Sequence, residues 1–144
     1  MRRRKSAPID TAAARPTLDG VATMTRAAFE ELVAEALDAI PDEFARYLEN
    51  VTVVVEDEPT PALLASLGLD PRRQSLYGLY QGVPLPHRSH DFTGLPDRIT
   101  IFAGPLMRDC PTAAAMRRQV KVTVVHEIAH FFGLDDRRIR RLGY

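Results

Sequence analysis

The run His126-Glu127-Ile128-Ala129-His130-Phe131-Phe132-Gly133-Leu134-Asp135-Asp136 carries more information about this chain than any other segment. Histidines four positions apart on a helix stand one above the other on a single face, close enough to share a metal ion. Glu127, next to the first histidine, can face the open position of that metal and serve as general base towards a water there. Gly133 can adopt the left-handed conformation that ends a helix and turns the chain back. Asp136 then arrives at the spacing of a third ligand. The pattern H-E-x-x-H-x-x-G-x-x-D is that of a zinc hydrolase.

Working outward, residues 113–125 contain helix formers and neither Pro nor Gly, so both histidines are expected on one continuous helix. Its second half is mostly apolar, with Val120, Val122, Val124, Val125, Ile128, Phe131 and Phe132. Gln119 and Thr123 fall in one narrow sector with His126, Glu127 and His130. A buried helix bearing a single polar stripe is the expected form of a metal site set into a core. The alternative, an accidental His/Glu/His cluster on a surface helix, leaves too little of the helix suited to solvent. A purely structural zinc would ask for four Cys or His ligands, and the chain has one Cys.

The third ligand follows by elimination. No Glu occurs after Glu127 and no His after His130, which leaves Asp135 and Asp136 at the C-terminal side. Asp136 has the spacing that follows the turn, whereas Asp135 is placed to cap a last short helix over residues 136–142. Asp136 is therefore favoured. His87 and His90 are the remaining rivals; they sit in a Pro-rich loop, residues 84–96, and read as solvated.

The 144 residues make one domain with enough length for a core. Nineteen basic residues balance nineteen acidic ones, so no global field favours nucleic acid or a membrane surface. The single Cys110 excludes an internal disulfide and fits a reducing compartment. No apolar run has the length of a membrane span, and residues 6–20 lack the apolar stretch of a signal peptide. The expectation is a cytoplasmic protein. Residues 1–24, with Arg2, Arg3, Arg4 and Lys5 followed by Ala, Thr and Pro, read as a disordered basic tail. The folded domain is placed at residues 25–144.

Within it, Thr25 is the expected cap of a helix whose Phe29, Leu32, Val33, Ala36, Leu37 and Ile40 recur at helical spacing. Pro41 ends that helix and opens a short second one reaching Leu48. Residues 51–55, 76–81 and 98–102 read as strands, and residues 59–69 hold a helical turn. Glu56, Asp57 and Glu58 read as a solvated strand end that could rim a cleft. The order predicts an α+β domain, a small twisted sheet of about three strands packed on the motif helix, with N-terminal helices before it and a short C-terminal helix after.

These pieces resemble the minimal zincins, small bacterial zincin-like metallopeptidases. Beyond the motif, the resemblance rests on Leu48-Glu49-Asn50-Val51, Glu56-Asp57-Glu58-Pro59, Gly78-Leu79-Tyr80-Gln81-Gly82-Val83-Pro84-Leu85, Leu95-Pro96-Asp97-Arg98-Ile99-Thr100-Ile101, Gly104-Pro105-Leu106 and Leu142-Gly143-Tyr144. It covers about residues 25–144. It implies a compact zincin fold with Zn²⁺ at the junction of sheet and helix, a peptide or protein substrate lying antiparallel along an edge strand, His126, His130 and Asp136 as ligands, and Glu127 as base. Unlike the larger metzincins, the chain has no His as third ligand and no methionine after it; Met107 and Met116 read as core residues.

Two other functions compete with a zinc-dependent peptidase. A zinc-dependent endoribonuclease family shares a small zincin-like build, and the basic tail favours it mildly. Glu127 in place of its Gly, Asp136 in place of its His, and overall neutrality disfavour it. A non-catalytic zinc-stabilised module binding a peptide or protein is suggested by the short chain, but it would have no use for Glu127. Tyr80 and Tyr144 are further candidates as donors to a developing oxyanion.

Overall fold

A computed structural model describes residues 15–16, 22–87 and 97–143. Two two-residue strands, β1 (Arg15–Pro16) and β2 (Ala22–Thr23), pair antiparallel. Apart from these strands and Met24, the stretch read as a tail lies outside the described residues, as do His90 and Tyr144.

Helix α1 (Arg26–Asp38) starts where its cap predicts: the Thr25 hydroxyl accepts from the Ala28 N–H at 2.9 Å. Phe29, Leu32, Val33, Ala36 and Leu37 form its buried face. Pro41 caps α2 (Asp42–Ala45), which runs on as a 3-10 turn over Arg46–Leu48. Strand β3 (Val51–Glu56) and helix α3 (Pro61–Ser66) follow, then the short strand β4 (Gly78–Gln81), a 3-10 turn at Leu85–His87 and strand β5 (Asp97–Phe102). Helix α4 (Ala103–Asp109), the long α5 (Ala113–Phe131) and α6 (Asp136–Arg141) complete the chain.

The fold class is as expected, α+β with a three-stranded sheet. Its order is β3-β5-β4, with β3 parallel to β5 and β4 antiparallel to it. The central strand, flanked by β3 and β4, is almost wholly buried. One layer of helices, chiefly α1 and α5, closes the core: Phe29, Ile101, Leu106, Val120, Val124 and Phe131 meet there. Met116 lies in this core and Met107 packs against it, in keeping with a packing role for both.

Two details differ from the sequence reading. Strand β4 begins at Gly78, two residues later than Leu76. Helix α4 is an addition: the sequence reading places no helix at residues 103–109, but Pro105 falls in a first helical turn, where its missing N–H has no intrahelical partner. The acidic segment after β3 is exposed, in keeping with a solvated strand end, and it makes ion pairs: Glu56 with Arg98, Asp57 with Arg26, and Glu58 with Arg108 of α4. These pairs are largely exposed, and they tie the strand end to β5, α1 and α4.

Candidate metal centre

Helix α5 is the floor of the site. Thr112 caps it by accepting from the Ala115 N–H, and its apolar residues Val120, Val124, Ile128 and Phe131 turn into the core. The polar stripe faces strand β4 instead. Thr123 and Glu127 are buried beneath that strand, and His126 and His130 stand half-buried at its margin. The helix ends in a Schellman turn: Leu134 N–H donates to Ala129 O at 3.0 Å and Gly133 N–H to His130 O at 2.9 Å, with Gly133 at φ +90°.

This turn returns the chain beneath the histidines. His130 Nδ1 donates to the Leu134 carbonyl at 3.1 Å. A carbonyl can only accept, so the proton sits on Nδ1 and the Nε2 lone pair of the neutral ring is left for a metal. Two residues on, Asp136 Oδ1 lies 3.0 Å from His130 Nε2 and 3.1 Å from His126 Nε2. The three donor atoms fall within 4.8 Å of one another. Two imidazole nitrogens and one carboxylate oxygen are donors of the kind zinc takes, so the set suits that ion by its chemistry. Asp135 is occupied otherwise: its carboxylate accepts from the Arg138 N–H at 2.9 Å and caps α6. His87 is exposed on the rim of the same cleft and stands outside the donor cluster.

Glu127 sits behind the two histidines. Burial pushes its carboxyl above the usual carboxylate range; His130, His126 and a hydrogen bond from the Tyr80 main-chain N–H pull it back part of the way. Strand β4 therefore touches the candidate base directly. Tyr80 is not free to serve as an oxyanion donor through its hydroxyl, which donates to the buried Asp97 carboxylate at 2.8 Å. Sequence reasoning missed the contributions of the Tyr80 N–H and the Leu134 carbonyl, since main-chain groups leave no signature in side-chain types. An open cleft of about 660 Å³ runs past His126, Glu127, His130 and Asp136.

Two helical histidines, an adjoining carboxylate and a third donor after a glycine turn, all under a mixed sheet, define the zincin class of metal-dependent hydrolases. The chain belongs to the zincin-like metallopeptidase family, which matches residues 48–144. Among solved structures it is similar to a conserved hypothetical protein from Thermus thermophilus, at 26% identity and a TM-score of 0.50, over 74% of this chain and 92% of that one. A search of curated proteins found no significant match. Family membership implies zinc. Among the described residues, no helix is long and apolar enough to cross a membrane.

Proposed function

We propose that the protein is a zinc-dependent peptidase in which His126, His130 and Asp136 hold the metal and Glu127 is the general base. The convergence of His126 Nε2, His130 Nε2 and Asp136 Oδ1 beside a buried Glu127, open to a cleft, carries this reading. Bound there, zinc would supply a Lewis acid that polarises the scissile carbonyl and makes water acidic enough to attack near neutral pH. Glu127 takes the proton from the water as its oxygen bonds to the carbonyl carbon. The same carboxyl then gives that proton to the amide nitrogen as the C–N bond breaks, releasing an amine and a carboxylate. The raised proton affinity of the buried carboxyl suits both halves of this exchange.

Strand β4 offers the substrate a place to lie. Among the described residues it is an edge of the sheet, paired only on its β5 side, so a peptide can add to it through main-chain hydrogen bonds. The reading is tested with protein purified without added metal or chelator. About one zinc per chain and cleavage of a peptide library are expected. Glu127→Gln should keep the zinc and lose about 10²-fold or more of the turnover. Absence of zinc after reconstitution, or equal cleavage by Glu127→Gln, would overturn it.

A further inference from the structure

Two recesses flank the candidate metal centre and share Leu76, Gly78, His126 and Glu127. They differ in chemistry. The larger is walled by Leu67, Leu69, Leu79, Pro84 and Leu134, and Leu67 is 44% exposed although nothing polar demands it. The smaller, of about 390 Å³, is lined by Ser75, Tyr77, Asp109, Gln119 and Thr123. Its size is in the range that holds a small ligand group.

Asp109 gives the smaller recess its character. Its carboxylate accepts from the Tyr77 hydroxyl at 2.6 Å, a neutral donor, and among the described residues it has no ion pair with a basic side chain. Ser75, Gln119 and Thr123 add only uncharged polar groups, and no Lys or Arg lines the recess among the described residues. His126 and Glu127, shared with the candidate metal centre, also line the recess, and the Asp109 carboxylate beside its uncharged polar groups is complementary to a cation that can donate several hydrogen bonds. The leucine-walled recess has the opposite preference, for an apolar side chain.

Strand β4 sets which recess faces which end of a bound peptide. Antiparallel pairing is the more stable addition to an edge. A peptide antiparallel to β4 enters beside Gln81 and leaves beside Gly78. Ser75, Leu76 and Tyr77 precede Gly78, so the Asp109 recess lies where the peptide leaves the reacting centre.

We infer that the Asp109 recess receives a basic side chain, Lys or Arg, at the substrate residue immediately C-terminal to the cleaved bond. The inference rests on the peptidase reading and deepens it by naming the substrate class. The selectivity is that of a charge-assisted hydrogen bond at the open edge of the recess, about fivefold over a neutral side chain of the same length.

The test exposes a peptide library to the full, zinc-loaded chain and reads the new N-termini by mass spectrometry. Lys and Arg should be enriched there about fivefold. Asp109→Asn should erase the enrichment and Asp109→Lys should turn it towards Asp and Glu. Asp109 is exposed, so both variants are expected to fold. Cleavage that depends on Glu127 yet shows the same new N-termini in wild type and Asp109→Lys overturns the inference while sparing the peptidase reading. If no Glu127-dependent cleavage occurs, that reading fails, and retention of the same library on the immobilised zinc-loaded chain decides the inference. Selective retention of Lys and Arg peptides, lost in Asp109→Lys, upholds the recess as a basic subsite; unselective retention overturns it.

Discussion

Gly78 lies against Glu127 so closely that a Cβ at this position would stand 3.2 Å from Glu127 Cγ. The same methyl would meet Thr123 Cγ2 at 2.9 Å and the Thr100 carbonyl at 3.3 Å. The glycine thus lets β4 rest directly on the helix that carries Glu127, the proposed base, and the Tyr80 N–H reaches the Glu127 carboxylate. Neither Thr123, a buried β-branched residue, nor the strand backbone can yield freely.

Gly78→Ala should therefore separate β4 from α5. Overpacking of this kind costs about 1–3 kcal/mol. A displaced general base loses rate steeply, since a misplacement of about 1 Å can cost about 10²-fold. The expected result is a fall of about tenfold or more in kcat/KM with zinc content kept at the wild-type level. Wild-type kcat/KM in the variant would show that the close approach has no bearing on the reaction.

Tyr80→Phe separates the two roles of Tyr80. The substitution keeps the main-chain N–H, and it keeps the ring that packs edge-on against Phe131 at 6.1 Å. It removes a hydroxyl that donates to the buried Asp97. Hydrogen bonds to a charged group contribute about 1.5–3 kcal/mol, so the midpoint of chemical denaturation should drop accordingly. The loss should fall on stability rather than on kcat. A large fall in kcat with an unmoved midpoint would instead restore the hydroxyl as a donor to the oxyanion.

The features legible in the sequence were those written in local side-chain chemistry. Thr25, Asp135 and Pro41 mark helix boundaries because a cap or a missing N–H acts within one turn. The His126, Glu127, His130 and Asp136 spacing survives into three dimensions because a helix and a glycine turn transmit it without help from the rest of the fold. What depends on distant pairing was not legible. The parallel match of Val51 with Asp97 and the insertion of β4 on the far side of β5 join segments with no shared pattern. The leucine wall and the Asp109 recess are likewise assembled from the turn after α3, from α4 and α5, and from the segments around β4. Gly78 stood in plain view within a motif, yet its reason lies in a helix far along the chain.

Gly133→Ala should loosen the metal centre from below. At φ +90° an L side chain costs about 1–2 kcal/mol, and its Cβ would lie 2.7 Å from Pro86 Cγ. The turn also presents the Leu134 carbonyl to His130 and carries the chain on to Asp136, so distortion reaches two of the three donors. Losing a partner that orients a ligand typically weakens metal affinity about 10–100-fold. Competition with a chromogenic chelator would read this directly. Unaltered zinc affinity, alongside the expected loss of stability, would mean that the turn serves only the fold.

Tyr77 provides a pH signature of the Asp109 recess. The Tyr77 hydroxyl donates to Asp109, and this bond, followed by burial and the charge of Asp109, pushes its pKa from 10.0 up to about 12. Forming the phenolate removes the donor and sets two negative charges together, so the folded state resists deprotonation more than the unfolded one. The stabilisation is fully present below the unfolded value of 10.0 and is lost as pH rises through about 12. Difference absorbance between wild type and Tyr77→Phe isolates this residue from the other tyrosines, and it should titrate near 12. In Asp109→Asn the same transition should move back towards 10.0. A Tyr77 transition already at 10.0 in wild type would break the link between the two residues and leave Asp109 without its neutral partner.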